Sequence, residues 1–84
     1  MGSKLVQTIN QGISEFKKQR FQRARDLFLK SVALSLTDDQ KAISFYNLGL
    51  CYYAQREYLP ASKHFLKSTE LGFSKANWEL CFLS

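Results

Sequence analysis

Residues 46–68 read YNLGLCYYAQREYLPASKHFLKS, and residues 16–31 upstream read FKKQRFQRARDLFLKS. Both stretches close on FLKS, and both carry an aromatic, an alanine and a phenylalanine at one spacing. Laid over itself with an offset of 37 residues, the chain pairs Gly12 with Gly49, Phe16 with Tyr53 and Phe21 with Tyr58. The same offset pairs Ala24 with Ala61, Phe28 with Phe65, Leu29-Lys30-Ser31 with Leu66-Lys67-Ser68, and Leu34 with Leu71. The matched positions are small or large apolar ones, the kind that packing fixes. Self-similarity at this period is the signature of a helical-hairpin array, in which each hairpin buries its apolar face on the next.

Local signals split each unit into two helices. Apolar residues at 5, 6, 9, 13 and 16 give a helical stripe that starts near Lys4, with Ser3 placed to cap it. A polar turn around Gln19 leads to a second helix over about 21–34, with Leu27, Phe28, Ser31, Val32 and Leu34 on its inner face. Thr37 with Gln40 three residues on forms a capping box, and Asp38 and Asp39 suit the positive end of a helix dipole. The third helix then covers about 39–54 and the fourth about 58–71. Pro60 falls in the first turn of the fourth, where its missing N–H is no loss. Gly72-Phe73 reads as a glycine C-cap, and Ser74 as the cap of a last helix, KANWELCFL.

Residues 42–71 resemble a tetratricopeptide repeat. That family places an aromatic, Leu-Gly and Tyr on its first helix, here Phe45, Leu48-Gly49 and Tyr52. On its second helix it alternates aromatic and small residues, here Tyr58, Ala61, Phe65 and Ser68. The first unit matches on its second helix (Phe21, Ala24, Phe28, Ser31), but Thr8, Gln11 and Glu15 stand where large apolar residues are usual. The period exceeds the roughly 34 residues typical of the family. The turn glycine and the closing proline are absent. The resemblance implies an all-α, right-handed solenoid of about five antiparallel helices in one domain. Repeat 1 would cover about 4–36, repeat 2 about 38–72 and a capping helix about 74–84.

It also implies function. Members bind peptides or helices on a concave face lined by first helices, which makes this chain a protein-interaction module rather than an enzyme. Between residues 42 and 54 only Ser44, Asn47 and Gly49 break an apolar run. Once Phe45, Leu48, Gly49 and Tyr52 are assigned to packing, Ile43, Tyr46, Leu50 and Tyr53 form a second stripe at spacings of 3, 4 and 3. One repeat earlier the stripe becomes Val6, Ile9, Ile13 and Phe16. These eight residues, with Asn47, are the expected partner-binding set. An amphipathic helix offers anchors at matching spacing. Two other arrangements stay open: neighbouring helices cover the third helix, or the first helix turns its single stripe inward. A further alternative is a homodimer, in which a second copy fills the stripe, since two repeats bury little core. The clamp by which some family members hold acidic chaperone tails is not matched, because only Asn47 fits while Ile9, Ile13, Asn77 and Cys81 do not.

No catalytic reading is supported. His64 has no carboxylate fixed beside it, no serine sits in a nucleophile elbow, and there is no glycine-rich phosphate loop. Cys51 and Cys81 with a single histidine do not make a metal site, so neither metal nor cofactor is expected. The two cysteines, in apolar surroundings, read as buried reduced thiols of a cytoplasmic protein. No apolar run approaches the length of a membrane span. The start lacks the apolar centre of a signal peptide, and Val6 stands where a myristoylation signal needs Ser or Thr. A 45% hydrophobic and 14% aromatic content with only four glycines and one proline fits a folded helical globule.

The net charge is +5, and Lys17, Lys18, Arg20, Arg23 and Arg25 lie together without an intervening acid. Such a patch can take phosphates or an acidic partner. The residues favour a solvated turn and exposed helix face over such a site, with Arg23 and Lys30 paired to Asp26 at helical spacing. Without aromatic residues interleaved for base stacking, the residues argue against nucleic acid.

Overall fold

Helix α1 runs Lys4–Lys17, α2 Phe21–Leu34, α3 Asp38–Ala54 and α4 Tyr58–Glu70 in the computed structural model, which describes residues 4–72. The expected last helix over 74–84 and the Ser3 cap fall outside the described residues. Consecutive helices pack on one another, α1 on α2, α2 on α3 and α3 on α4, with a smaller contact between α1 and α3. This is an all-α stack of two hairpins.

The core explains the order. Leu5 and Ile9 from α1, Ala24 and Phe28 from α2, and Ile43, Leu48 and Cys51 from α3 form one buried cluster. Ile13, Phe16, Leu34, Phe45 and Tyr52 pack against its edge. Each large apolar side chain fully withdrawn from water contributes about 1.5–3 kcal/mol. Helix α3 lies between α2 and α4, which is why it is apolar nearly all round.

The close approach of the helices within each hairpin depends on glycine. A Cβ at Gly12 would lie 2.5 Å from the Phe28 ring, and one at Gly49 2.7 Å from the Phe65 ring. The two phenylalanines are themselves one period apart, so the same knob meets the same hole in both hairpins.

The two inter-helix turns repeat just as closely. In the first, Arg20 N–H donates to Glu15 O and Gln19 N–H to Phe16 O; in the second, Glu57 N–H donates to Tyr52 O and Arg56 N–H to Tyr53 O. This is the Schellman pattern, which needs a left-handed residue at its centre. Gln19 (φ 62°) and Arg56 (φ 64°) supply it without being glycine. An edge-to-face aromatic pair brackets each turn: Phe16 with Phe21 at 5.2 Å and Tyr53 with Tyr58 at 5.4 Å between ring centres.

At the join between hairpins, Thr37 caps α3 by accepting from Gln40 N–H. The Gln40 side chain returns one residue further than a standard box, accepting from Leu36 N–H at 2.7 Å. Buried hydroxyls near this join are all partnered. Ser31 Oγ lies 2.7 Å from Phe28 O and 2.8 Å from Ser44 Oγ, and Ser35 donates to Ser31 O. Ser68 donates across the second hairpin to Ala42 O at 2.6 Å. Partnered in this way, small polar residues sit in the interior without a desolvation penalty.

Candidate functional site

The nine residues expected to face a partner do not share one surface. On α1, Ile9 lies in the core, and Ile13 and Phe16 pack against it, leaving Val6 half-buried. The physical reason is that α1 has a single apolar stripe and commits it to the interior, as the second of the open arrangements has it. On α3, Ile43 is fully buried against that same stripe, and Asn47 is buried with its amide donating to Ile43 O at 2.9 Å. Ile9, Ile43 and Asn47 are therefore interior residues, and the surface reading is corrected for them. Tyr53 is exposed, but it belongs to the turn, where it meets Tyr58. Tyr46 and Leu50 remain, both half-buried and one helical turn apart on α3, with Tyr46 against the Phe65 ring at 5.6 Å.

The basic stretch also divides. Lys17, Lys18, Arg20 and Arg23 are exposed around the first turn, with Arg20 3.6 Å from the Glu15 carboxylate. Arg25 leaves them. It crosses from α2 to the second hairpin, where Nη1 donates to Gln55 Oε1 at 3.0 Å and Nη2 to Tyr52 Oη at 3.2 Å. Glu57 lies 3.4 Å from Nη1, and the guanidinium stands 4.2 Å from the centre of the Tyr52 ring. Among the described residues the expected Arg23–Asp26 and Asp26–Lys30 pairs do not form; Asp26 instead accepts from Gln22 at 3.5 Å.

His64 approaches the same tyrosine from α4, stacked at 5.0 Å, with Phe45 on its other flank at 5.9 Å. Its Nδ1 is 2.7 Å from Pro60 O. A carbonyl only accepts, so Nδ1 carries the hydrogen there. Arg25, Tyr52 and His64 thus tie three helices together, a role that no local spacing announces because the partners lie 27 and 12 residues apart. Cys51 is inert for a related reason: burial pushes its thiol up to about 12, against a smaller opposing effect of the Arg25 charge.

All but one of the family's signature positions occupy packing positions, Phe45, Leu48, Gly49 and Tyr52 on α3 and Ala61, Phe65 and Ser68 on α4, while Tyr58 is exposed at the turn against Tyr53. The tetratricopeptide repeat model matches residues 5–71, which takes in all four helices. The chain belongs to the tetratricopeptide repeat family. No curated protein and no solved structure gives a significant match to it. Tetratricopeptide repeats in general mediate protein–protein interaction and are non-catalytic. Among the described residues, no helix is long and apolar enough to cross a membrane.

Proposed function

We propose that this tetratricopeptide repeat protein is a non-catalytic binding module that takes a peptide or an amphipathic helix of a partner protein against α3, with Tyr46 and Leu50 as its anchors and Val6 at its edge. The observation that carries the reading is the placement of Leu50. It is a large apolar residue on the innermost helix, yet it stays partly open to solvent and outside the buried cluster. Tyr46 lies one turn before it on the same helix, at the spacing an amphipathic helix matches. Both are carried on a regular helix, so their spacing is set before a partner docks.

The test is a display screen of amphipathic helical peptides against the full chain, followed by the same binding measurement on Leu50→Asp. The expected result is a set of binders that loses at least about tenfold in affinity with Leu50→Asp, while the circular dichroism and melting temperature of the variant stay close to those of the parent. Binders that are indifferent to Leu50 would place the site elsewhere. A dimer in sedimentation that Leu50→Asp splits into monomers would assign this face to a second copy of the chain instead.

A further inference from the structure

The inter-helix turns sit side by side at one end of the stack, because Arg25 near the start of α2 reaches Gln55 and Glu57 in the second turn. This end gathers half of the chain's twelve lysines and arginines. Residues 15–25 and 54–58 hold six cations against two carboxylates. The two carboxylates face particular cations, Glu15 with Arg20 and Glu57 with Arg25. Lys17, Lys18, Arg23 and Arg56 are exposed and belong to no ion pair among the described residues. Arg23 does nothing for the fold electrostatically. It sits in the first turn of α2, which has no acidic residue to match the positive end of the helix dipole. Lys17, Lys18 and Arg56 lie at or just past the C-terminal ends of α1 and α3, where the helix dipole favours a cation, but none of them is neutralised by a carboxylate among the described residues, so their charge is open to a partner.

The same end exposes apolar surface. Tyr53 is 59% exposed, Tyr58 56% and Leu59 69%, and they lie within three residues of Arg56 in sequence. We infer that this turn end is a second docking surface, beside the α3 face, and that it takes an acidic peptide segment carrying apolar side chains. Charge complementarity selects the acidic character, and the Tyr58–Leu59 ledge selects the apolar one. A nucleic acid fits less well. Glu57, about half exposed, stands inside the patch and would meet a continuous run of phosphates, whereas a peptide can place a neutral residue opposite it.

The test uses the full chain and three labelled probes: a short peptide of mixed Asp, Glu and Leu, the same peptide with Asn and Gln for the acids, and a short single-stranded oligonucleotide. Anisotropy is read at low and at physiological salt. The acidic peptide is expected to bind, to weaken with salt and to outcompete the other two. The triple variant Lys18→Glu/Arg23→Glu/Arg56→Gly should lose at least about tenfold in affinity for it. Its fold is protected, since Arg23→Glu suits the helix dipole and glycine suits the left-handed backbone at Arg56. Leu59→Ser should weaken the acidic peptide while leaving the salt dependence unchanged. The inference is overturned if no probe binds at low salt, if the neutral peptide binds as well, if the oligonucleotide binds more tightly, or if the triple variant binds normally. Leu50→Ala, which brings no carboxylate near these cations, should leave this binding unchanged while weakening binders at the α3 face, so failure here and failure at the α3 face can be told apart.

Discussion

The two hairpins are built on one plan but are enclosed differently. Glycine against phenylalanine, the Schellman turn and the aromatic pair recur at 37 residues with nearly the same geometry. Yet Phe28 is 1% exposed while its equivalent Phe65 is half-buried. Among the described residues, helix α2 is covered on one side by α1 and on the other by α3, whereas α4 packs chiefly on α3. A shared sequence pattern thus sets local geometry, and position in the stack sets how much each residue is worth.

The largest test of that distinction is truncation of the paired phenylalanines. Phe28→Ala should cost about 3–5 kcal/mol, the usual loss for a fully enclosed phenylalanine. Phe65→Ala should cost about half as much, because part of its surface already faces water. Urea unfolding of both variants measures the gap. Equal losses would mean that the enclosure of α2 adds nothing to what the hairpin supplies alone.

The next largest effect separates Cys51 from its equivalent Ser14. Ser14 is exposed on α1, and Cys51 is fully buried on the flanked helix α3. The Cys51 thiol is raised from 9.0 to about 12 in the folded chain. Unfolding at pH between these values therefore releases a proton, and the unfolded state gains with rising pH. The contribution of Cys51 to stability should be full below pH 9 and fall as pH climbs towards about 12. Comparing the parent with Cys51→Ala across that window isolates it from the other titrating groups. A constant difference between the two would contradict the burial.

Gly12→Ala and Gly49→Ala probe the same contrast at smaller scale. Each gains about 1 kcal/mol of helix propensity and loses about 1–3 kcal/mol to overpacking against a ring. Phe28 is held on all sides and cannot move, so Gly12→Ala should be destabilising overall. Phe65 has room to shift, so Gly49→Ala should be close to neutral. Melting temperatures of the two variants decide it.

Much of this was legible in the residues. The helix over about 21–34, the one over about 39–54, the cap at Thr37 and the first-turn place of Pro60 follow from local chemistry, and the structure has them within a residue, with α3 starting at Asp38. What was not legible is which stripe faces in. Val6, Ile9, Ile13 and Phe16 are as apolar as Leu5, and only the packed neighbours decide that Ile9 is core and Val6 is not. Thr8 stands where the family usually has a large apolar residue, yet it is buried, with its hydroxyl donating to Lys4 O at 2.8 Å. Arg25 looked like one more member of a basic run, and its crossing to Tyr52 depends on a helix 27 residues away.

The smallest expected effects are at the two turn centres, and there the repeats should agree rather than differ. Gln19 and Arg56 both hold a left-handed backbone that ordinary side chains adopt at a cost of about 1 kcal/mol. Both are exposed, so replacing them removes no packing. Glycine at either position relieves the strain and gives back part of it through the greater freedom of the unfolded chain. Gln19→Gly and Arg56→Gly should each stabilise by about 0.5 kcal/mol, and the double variant by the sum, because each turn is closed by its own hydrogen bonds. Denaturation midpoints that rise together and add would show two independent copies of one turn. A gain at Gln19 without one at Arg56 would mean that the Arg25 bridge to Gln55 and Glu57 holds the second turn in a way the first lacks, and the line between shared pattern and local context would then run through the turns as well as the core.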